Sequence, residues 1–341
     1  MLNYELLINI WFVLWCVIWA IYLVADSFPL GAGMLAAFLP KNMAQTIQAA
    51  KSVGPFWGGN QVWIILAAGG TFAAFPLIFS KMFTFLYIPM MLLLIGIIMR
   101  GVCIELIYQD ENRELQKIFR YGWAIGSLII TAVLGVAFSN FFRGLVINAN
   151  YVYEGTLLGL FNPHALLGAL LFVLFFLTSG ALWVAHKTSG ELSVKCKSLA
   201  KKTSIGVAVA ALIYIIGLFN TDGFAVNYNA YPILYAIPLI AVIFALACIV
   251  LAVKKSNRPF FAFLANLGTI FFGAATGVVT LYPHILKSSI NPEYGVSIFD
   301  AASSELTLTL MFYAALVFVP IVLIYQLWSY TKFKEKIPEN A

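Results

Sequence analysis

The chain has 341 residues, 62% of them hydrophobic and only 10% charged, with a mean hydropathy of +0.94 and a net charge of +6. Soluble domains carry about 25% charged residues, so this composition excludes a water-soluble globular class. The positive balance calls for no nucleic-acid partner, because the cations collect in loops on one face.

Apolar runs near ~20 residues, enough to cross a ~30 Å hydrocarbon core, recur along the whole length. They are expected at about 7–28, 57–80, 83–108, 121–146, 163–186, 203–220, 231–253, 259–282 and 306–330. The expected fold is therefore an all-α integral membrane protein with nine transmembrane helices. The first run lacks a basic start and a small-residue cleavage site, so it reads as a retained span and not as a signal peptide. It stays apolar past Pro29 and Gly31 to Leu39, and it carries Asp26.

The second run opens on "GPFWGGNQVW", which sets Trp57 and Trp63 around Gly58, Gly59, Asn60 and Gln61. The tryptophans suit an interfacial belt. The amides could bond neighbouring backbone or line a hydrated entry. "GG" at 69–70 would let another helix approach closely.

The third run holds Arg100 and Glu105. A charge inside a span costs about 2.5–3.5 kcal/mol on insertion scales, so each one is informative. Asp26 and Arg100 lie at similar depth, offset by about 3 Å at 1.5 Å per residue, and an Asp–Arg pair between helices one and three is expected. Glu105 is turned about 140° around the helix from Arg100 and should face a different neighbour. Asp26, Arg100 and Glu105 are open to two readings. They form a proton route, a quinone-site charge or a partner anchor, or they are a structural ion pair with a solvated acid beside it.

Helix five, "LFVLFFLTSGALWVAHKTSG", resembles helix one in ending on a small and polar cluster. A four-span offset suggests parallel repeats, two four-helix bundles plus a ninth peripheral helix. The division would be 1–146 for the first bundle, 147–286 for the second, and 287–341 for an external loop, the ninth helix and a tail. Small residues at contacts recur in any membrane bundle, so the likeness also has a bland explanation. The longest extramembrane pieces are about 147–162, 187–202 and 283–305.

Orientation follows from the loops. One face collects Lys41, Lys51, Arg113, Lys117, Arg120, Lys187, Lys195, Lys197, Lys201, Lys202, Lys254, Lys255, Arg258, Lys332, Lys334 and Lys336. The other has only Lys81, Arg143 and Lys287. Sixteen against three places the N-terminus outside and the C-terminus in the cytoplasm.

Cys16, Cys103, Cys196 and Cys248 are scattered singly, with no metal-ligand spacing. His164, His186 and His284 all fall at span ends, so no pair is placed to hold a haem between helices. No P-loop, GxGxxG, HExxH or Ser–His–Asp pattern occurs, and no catalytic residue or metal site is expected within this chain.

Several motifs in order are similar to those of subunit II of the cytochrome bd quinol oxidases. They are "ADSFPLGAGML" (25–35), "GPFWGGNQVW…GGTFAAFP" (54–76), "MRGVCIELIY" (99–108), "GVAFSN" (135–140), "HKTSGEL" (186–192), "YPHILKSS" (282–289) and "FDAASSELTL" (299–308). The resemblance implies two bundles with a ninth peripheral helix, in a bacterial or archaeal cytoplasmic (inner) membrane. It implies a homologous partner, subunit I, that carries haems b and d and the quinol-oxidising loop. Small single-helix subunits and membrane lipids are further implied neighbours. The complex would oxidise quinol and reduce dioxygen to water, electrogenically but without pumping. Subunit II would stabilise the haem subunit and, in some members, hold a quinone or line a proton or oxygen path. Two departures stand out: some members have Asp where this chain has Gly58, and a second acid in helix one where it has Pro29. If this subunit handles protons, Asp26 with Glu105 or water must do so. A secondary transporter and a purely structural assembly subunit remain the alternatives, the former requiring broken helices around a polar midplane site.

Overall fold

The computed structural model describes residues 3–109, 112–221, 223–253 and 259–338. Lys254, Lys255 and Arg258, assigned above to the basic face, lie outside the described residues.

Asn3 caps the first helix, α1 (Tyr4–Ala36), by accepting from the Glu5 N–H, and the helix runs unbroken past Pro29. It is followed by α2 (Met43–Ala74), α3 (Pro76–Phe85), α4 (Tyr87–Leu106) and α5 (Arg113–Arg143). Then come α6 (Pro163–Lys187), α7 (Gly190–Phe219), the short α8 (Val226–Ala230), α9 (Ala236–Val253) and α10 (Pro259–Val279). A small ribbon of β1 (His284–Leu286) and β2 (Val296–Ser297) leads through α11 (Ile298–Ala301) into α12 (Glu305–Lys332).

Among the described residues, eight stretches are long and apolar enough to cross a membrane: α1, α4, α5, α6, α7, Pro232–Val253, α10 and α12. The 32-residue α2 is long enough, but its amides and glycines dilute its hydropathy below theirs. The chain is thus an all-α integral membrane protein.

The second expected span, 57–80, is not one helix. Phe75 leaves the helical region at φ −133°, ψ 65°, and Pro76 opens α3. The residue before a proline is pushed out of αR, and proline itself suits a helix start. At its other end α2 begins at Met43, not near 57, with Asn42 accepting from the Gln45 N–H. The expected extramembrane piece 187–202 is also mostly helical, since α7 starts at Gly190. Hydropathy registers only the lipid-buried part of a helix and misses turns that continue into the polar layer.

Helix α1 is central, packing against α2, α5, α6, α10 and α12. Its closest approach is to α6, where Gly31 and Gly180 face each other. A Cβ at Gly31 would overlap the Phe176 carbonyl, and one at Gly180 the backbone of Gly31 and Ala32. Without a hydrophobic drive between helices in lipid, such backbone contact supplies the dispersion that holds them together.

The cations gather where α1 and α6 end, which we call the basic end. Arg120 donates to the carbonyls of Ala36, Ala37 and Pro40, closing the C-terminus of α1. Lys41 and Lys195 both pair with Glu191. The tail strands back there too, with Ile337 N–H bonded to Lys187 O and Gln48 Nε2–H to Ile337 O. At the far end, Gly144 ends α5 at φ 97°, and Leu145 joins the ribbon through Lys287 and Ser289.

Candidate functional site: a buried polar knot

Asp26 on α1 and Arg100 on α4 are each 1% exposed. Arg100 Nη1 donates to both Asp26 carboxylate oxygens at 2.8 Å, and Nη2 donates to Gln61 Oε1 at 2.7 Å. Tyr22, one turn before Asp26 and also 1% exposed, hydrogen-bonds the same carboxylate. The Arg100 Nε–H has no acceptor among the described residues. An isolated charge in hydrocarbon is prohibitive, but here each charge neutralises the other and most lone pairs and protons are used.

The Trp57 ring lies against the guanidinium, 5.6 Å from Cζ to the ring centroid. Its Nε1–H donates to Glu105 Oε1 at 2.9 Å, and Tyr108 OH donates to Glu105 Oε2 at 3.0 Å. Burial, then the bond to Glu105, raises the Tyr108 phenol above its ordinary pKa. Glu105 does point away from Arg100, yet Trp57 joins the two. The half-buried acid therefore sits on the basic-end side of a chain running Glu105, Trp57, Arg100, Asp26.

Adjacent helical positions point about 100° apart, so the amide pair on α2 divides. Gln61 turns to Arg100, while Asn60, 1% exposed, turns to α1 and α12. Asn60 Nδ2 donates to Ala25 O at 2.6 Å. That carbonyl would normally receive the N–H of the residue four positions on, which is Pro29 and has none. Asn60 thus repairs the gap that Pro29 opens in α1, one residue from the buried carboxylate. Its Oδ1 accepts from Gln326 Nε2 (2.6 Å) and Tyr330 OH (3.1 Å) on α12. Gln326 Oε1 in turn accepts from Trp63 Nε1 at 2.8 Å. Trp63 is 2% exposed, so it is a core residue and not part of an interfacial belt.

All seven singled-out residues therefore meet in one region: Asp26, Arg100, Glu105, Trp57, Asn60, Gln61 and Trp63. Sequence reading missed Tyr22, Tyr108, Gln326 and Tyr330. Gln326 carried a usable signal, as an amide inside the otherwise apolar α12.

The histidines are dispersed. His164 stacks on Tyr214 near the start of α6, His186 lies beside Trp183 and Phe260 at its other end, and His284 is in β1. A haem bridging two helices needs facing axial ligands, and His164 and His186 are separated by 22 positions of one helix, about 33 Å. Among the described residues no three His, Cys, Asp or Glu side chains cluster as a metal site. The donor set does not fit a bis-histidine haem within this chain.

Comparison with known proteins agrees with this anatomy. The family model for cytochrome bd terminal oxidase subunit II matches residues 7–333. Cytochrome bd-I ubiquinol oxidase subunit 2 of Escherichia coli K12 is 31% identical over 377 residues, covering 100% of this chain and 99% of that one. A probable cytochrome oxidase subunit 2 of Haemophilus influenzae is 31% identical over 370 residues, covering 100% and 97%. Cytochrome bd ubiquinol oxidase subunit 2 of Bacillus subtilis is 30% identical over 334 residues, covering 96% of each. A chain of the bd oxidase from Geobacillus thermodenitrificans shares the fold, with a TM-score of 0.79 at 17% identity over 96% of this chain and 99% of that one.

Proposed function

The chain belongs to the cytochrome bd terminal oxidase subunit II family, and on that premise we propose that it is the non-haem-ligating half of a heterodimer that oxidises quinol and reduces dioxygen to water. That it is a membrane-embedded subunit of a respiratory quinol oxidase complex follows from the family itself. The finer reading has four parts.

First, α1, α2, α4 and α5 form one four-helix bundle and α6, α7, α9 and α10 a second, with α12 as a ninth, peripheral span. The pairwise packing of these helices supports this. Second, the basic end faces the cytoplasm and the N-terminus lies outside, in the cytoplasmic membrane, as the loop cations favour. Third, a homologous subunit I supplies haems b and d, and these carry the electron transfer and oxygen chemistry. The dispersed histidines here support that division of labour.

Fourth, the knot tunes proton handling next to the partner. Gly58 offers no carboxylate, and Asp26 is locked to Arg100. Glu105 is the acid placed to take a proton from the basic end, with Trp57 between it and the fixed charge pair. The buried Asp26–Arg100 pair is the observation that carries this reading, because a charge pair is a costly way merely to pack helices.

The assignment is tested by affinity purification of the tagged chain in gentle detergent, followed by a reduced-minus-oxidised visible spectrum. Bands of haems b and d with a co-purifying larger membrane subunit are expected. A colourless preparation without a partner would overturn it. The proton reading is tested separately: Asp26→Asn or Glu105→Gln, normalised to assembled haem, should lower quinol oxidase turnover and proton uptake. Full activity in both variants would reduce the knot to an assembly device.

A further inference from the structure

At the basic end a cleft of ≈ 520 Å³ opens between α1, α6, α10 and α12, and its inner wall includes Ala25, Gln326 and Tyr330 of the polar knot. Ligand sites fall in the range of about 300–1,000 Å³. The floor is apolar and largely aromatic, with Trp183, Phe263 and Phe271 among its walls. The mouth is cationic through Lys187 and Lys334, which line it beside His186. Lys336 lies close enough to His186 to act on its charge.

We propose that this cleft holds one anionic phospholipid, its acyl chain on the aromatic floor and its phosphate between Lys187 and Lys334. The floor alone would accept any amphiphile, because lipid tails are as apolar as the protein walls. The mouth discriminates. Lys187 is buried, and its ammonium is held by the carbonyls of Phe333 and Glu335, which fixes a positive charge at the rim. Lys334 is exposed and has no hydrogen-bond partner among the described residues. The tail bearing both Lys334 and Lys336 is strapped down by the Ile337–Lys187 and Gln48–Ile337 bonds. Among the described residues, Glu335 is the acid whose charge acts on Lys187. A mouth with net positive charge favours a phosphodiester monoanion over a zwitterion or a neutral ring. Basic pockets between helices on the cytoplasmic side bind anionic headgroups for this reason.

The test uses the intact complex, stripped of lipid by detergent exchange and equilibrated with mixed palmitoyl-oleoyl phosphatidylglycerol and phosphatidylethanolamine. Retained lipid is counted by native mass spectrometry for the parent and two variants. Lys334→Gln alters only an exposed side chain, and its retention of phosphatidylglycerol should weaken roughly five-fold, the effect of one lysine at a membrane surface. Leu264→Trp, at a lining position 44% exposed, should fill the cleft and lower the phosphatidylglycerol count by one per complex. Equal counts in the parent and both variants would overturn the proposal. So would loss of phosphatidylethanolamine in place of phosphatidylglycerol, or a retained quinone that leaves with Leu264→Trp.

Discussion

Separating Asp26 from Arg100 is the sharpest perturbation of this fold. Both groups are 1% exposed, and Arg100 reaches both carboxylate oxygens at 2.8 Å. Removing one partner of such a pair strands the other charge in low dielectric, at a cost of about 3–5 kcal/mol. Asp26→Leu leaves the Arg100 charge buried with Gln61 Oε1 as its remaining acceptor, so about 4 kcal/mol is expected. Arg100→Met also deprives Gln61 of its donor, for about 4 kcal/mol. The double variant Asp26→Leu/Arg100→Met strands no charge, and its loss should be about 1 kcal/mol or less, because apolar replacements of buried ion pairs are often neutral. The cycle therefore predicts a coupling of several kcal/mol. Heat-inactivation midpoints of the purified complex would report it, with single-variant shifts on the order of 5–15 °C. Were the double variant to lose the sum of the two single losses, within about 0.5 kcal/mol, the charges would not be acting as a unit and the reasoning would fail.

Four further outcomes follow from individual positions. Gly31→Ala should sharply reduce assembled complex on a native gel, since its Cβ meets the Phe176 carbonyl and overpacking costs about 1–3 kcal/mol or more. Gly58→Ala meets nothing within 4 Å and should assemble normally, gaining up to about 1 kcal/mol of helix propensity. Asn60→Ala leaves Ala25 O without a donor and cuts the links to Gln326 and Tyr330. At about 1 kcal/mol per bond, it should lower the midpoint and speed proteolysis of the C-terminal tail, and unchanged proteolysis would count against the link to α12. Burial lowers the Lys287 pKa to about 8 from its ordinary 10.5. The unfolded chain then holds the proton that the folded chain has lost, so this group's contribution to stability should rise between pH 8 and 10.5. Lys287→Met should abolish that rise in a pH series of melting midpoints; identical slopes for parent and variant would refute the burial argument.

Much of this architecture is legible in the sequence because the membrane imposes simple rules. A span must be long and apolar, so α5, α6, α10 and α12 stand out by hydropathy, and a charge within a span is conspicuous because it is costly. The ordered motifs around Trp57, Arg100 and Ser139 pointed to the family for the same reason, as polar or small residues where lipid would prefer leucine. What hydropathy hides is geometry in the polar layers. The extra turns of α2 and α7 are helical but not apolar, and the break at Phe75 interrupts a run whose hydropathy continues across it. Partners are hidden too. Tyr22, Gln326 and Tyr330 are ordinary residues until the helices assemble, and one sequence does not say which helix a glutamine meets.

The knot also explains why α12 stays where it does. Only 6% of its apolar window is buried, and lipid would accommodate it equally well at any rotation. Its register is set by hydrogen bonds instead. Trp11 Nε1 donates to Leu308 O near one end, and Gln326 and Tyr330 bond Asn60 near the other. Asn60 is committed there because Pro29 leaves Ala25 O without its helical donor. A proline in α1 thus creates the need that fixes an asparagine in α2, and that asparagine holds α12. The same contact holds α1 to α2 one residue from Asp26, so the ion pair and the position of α12 are coupled through a single side chain.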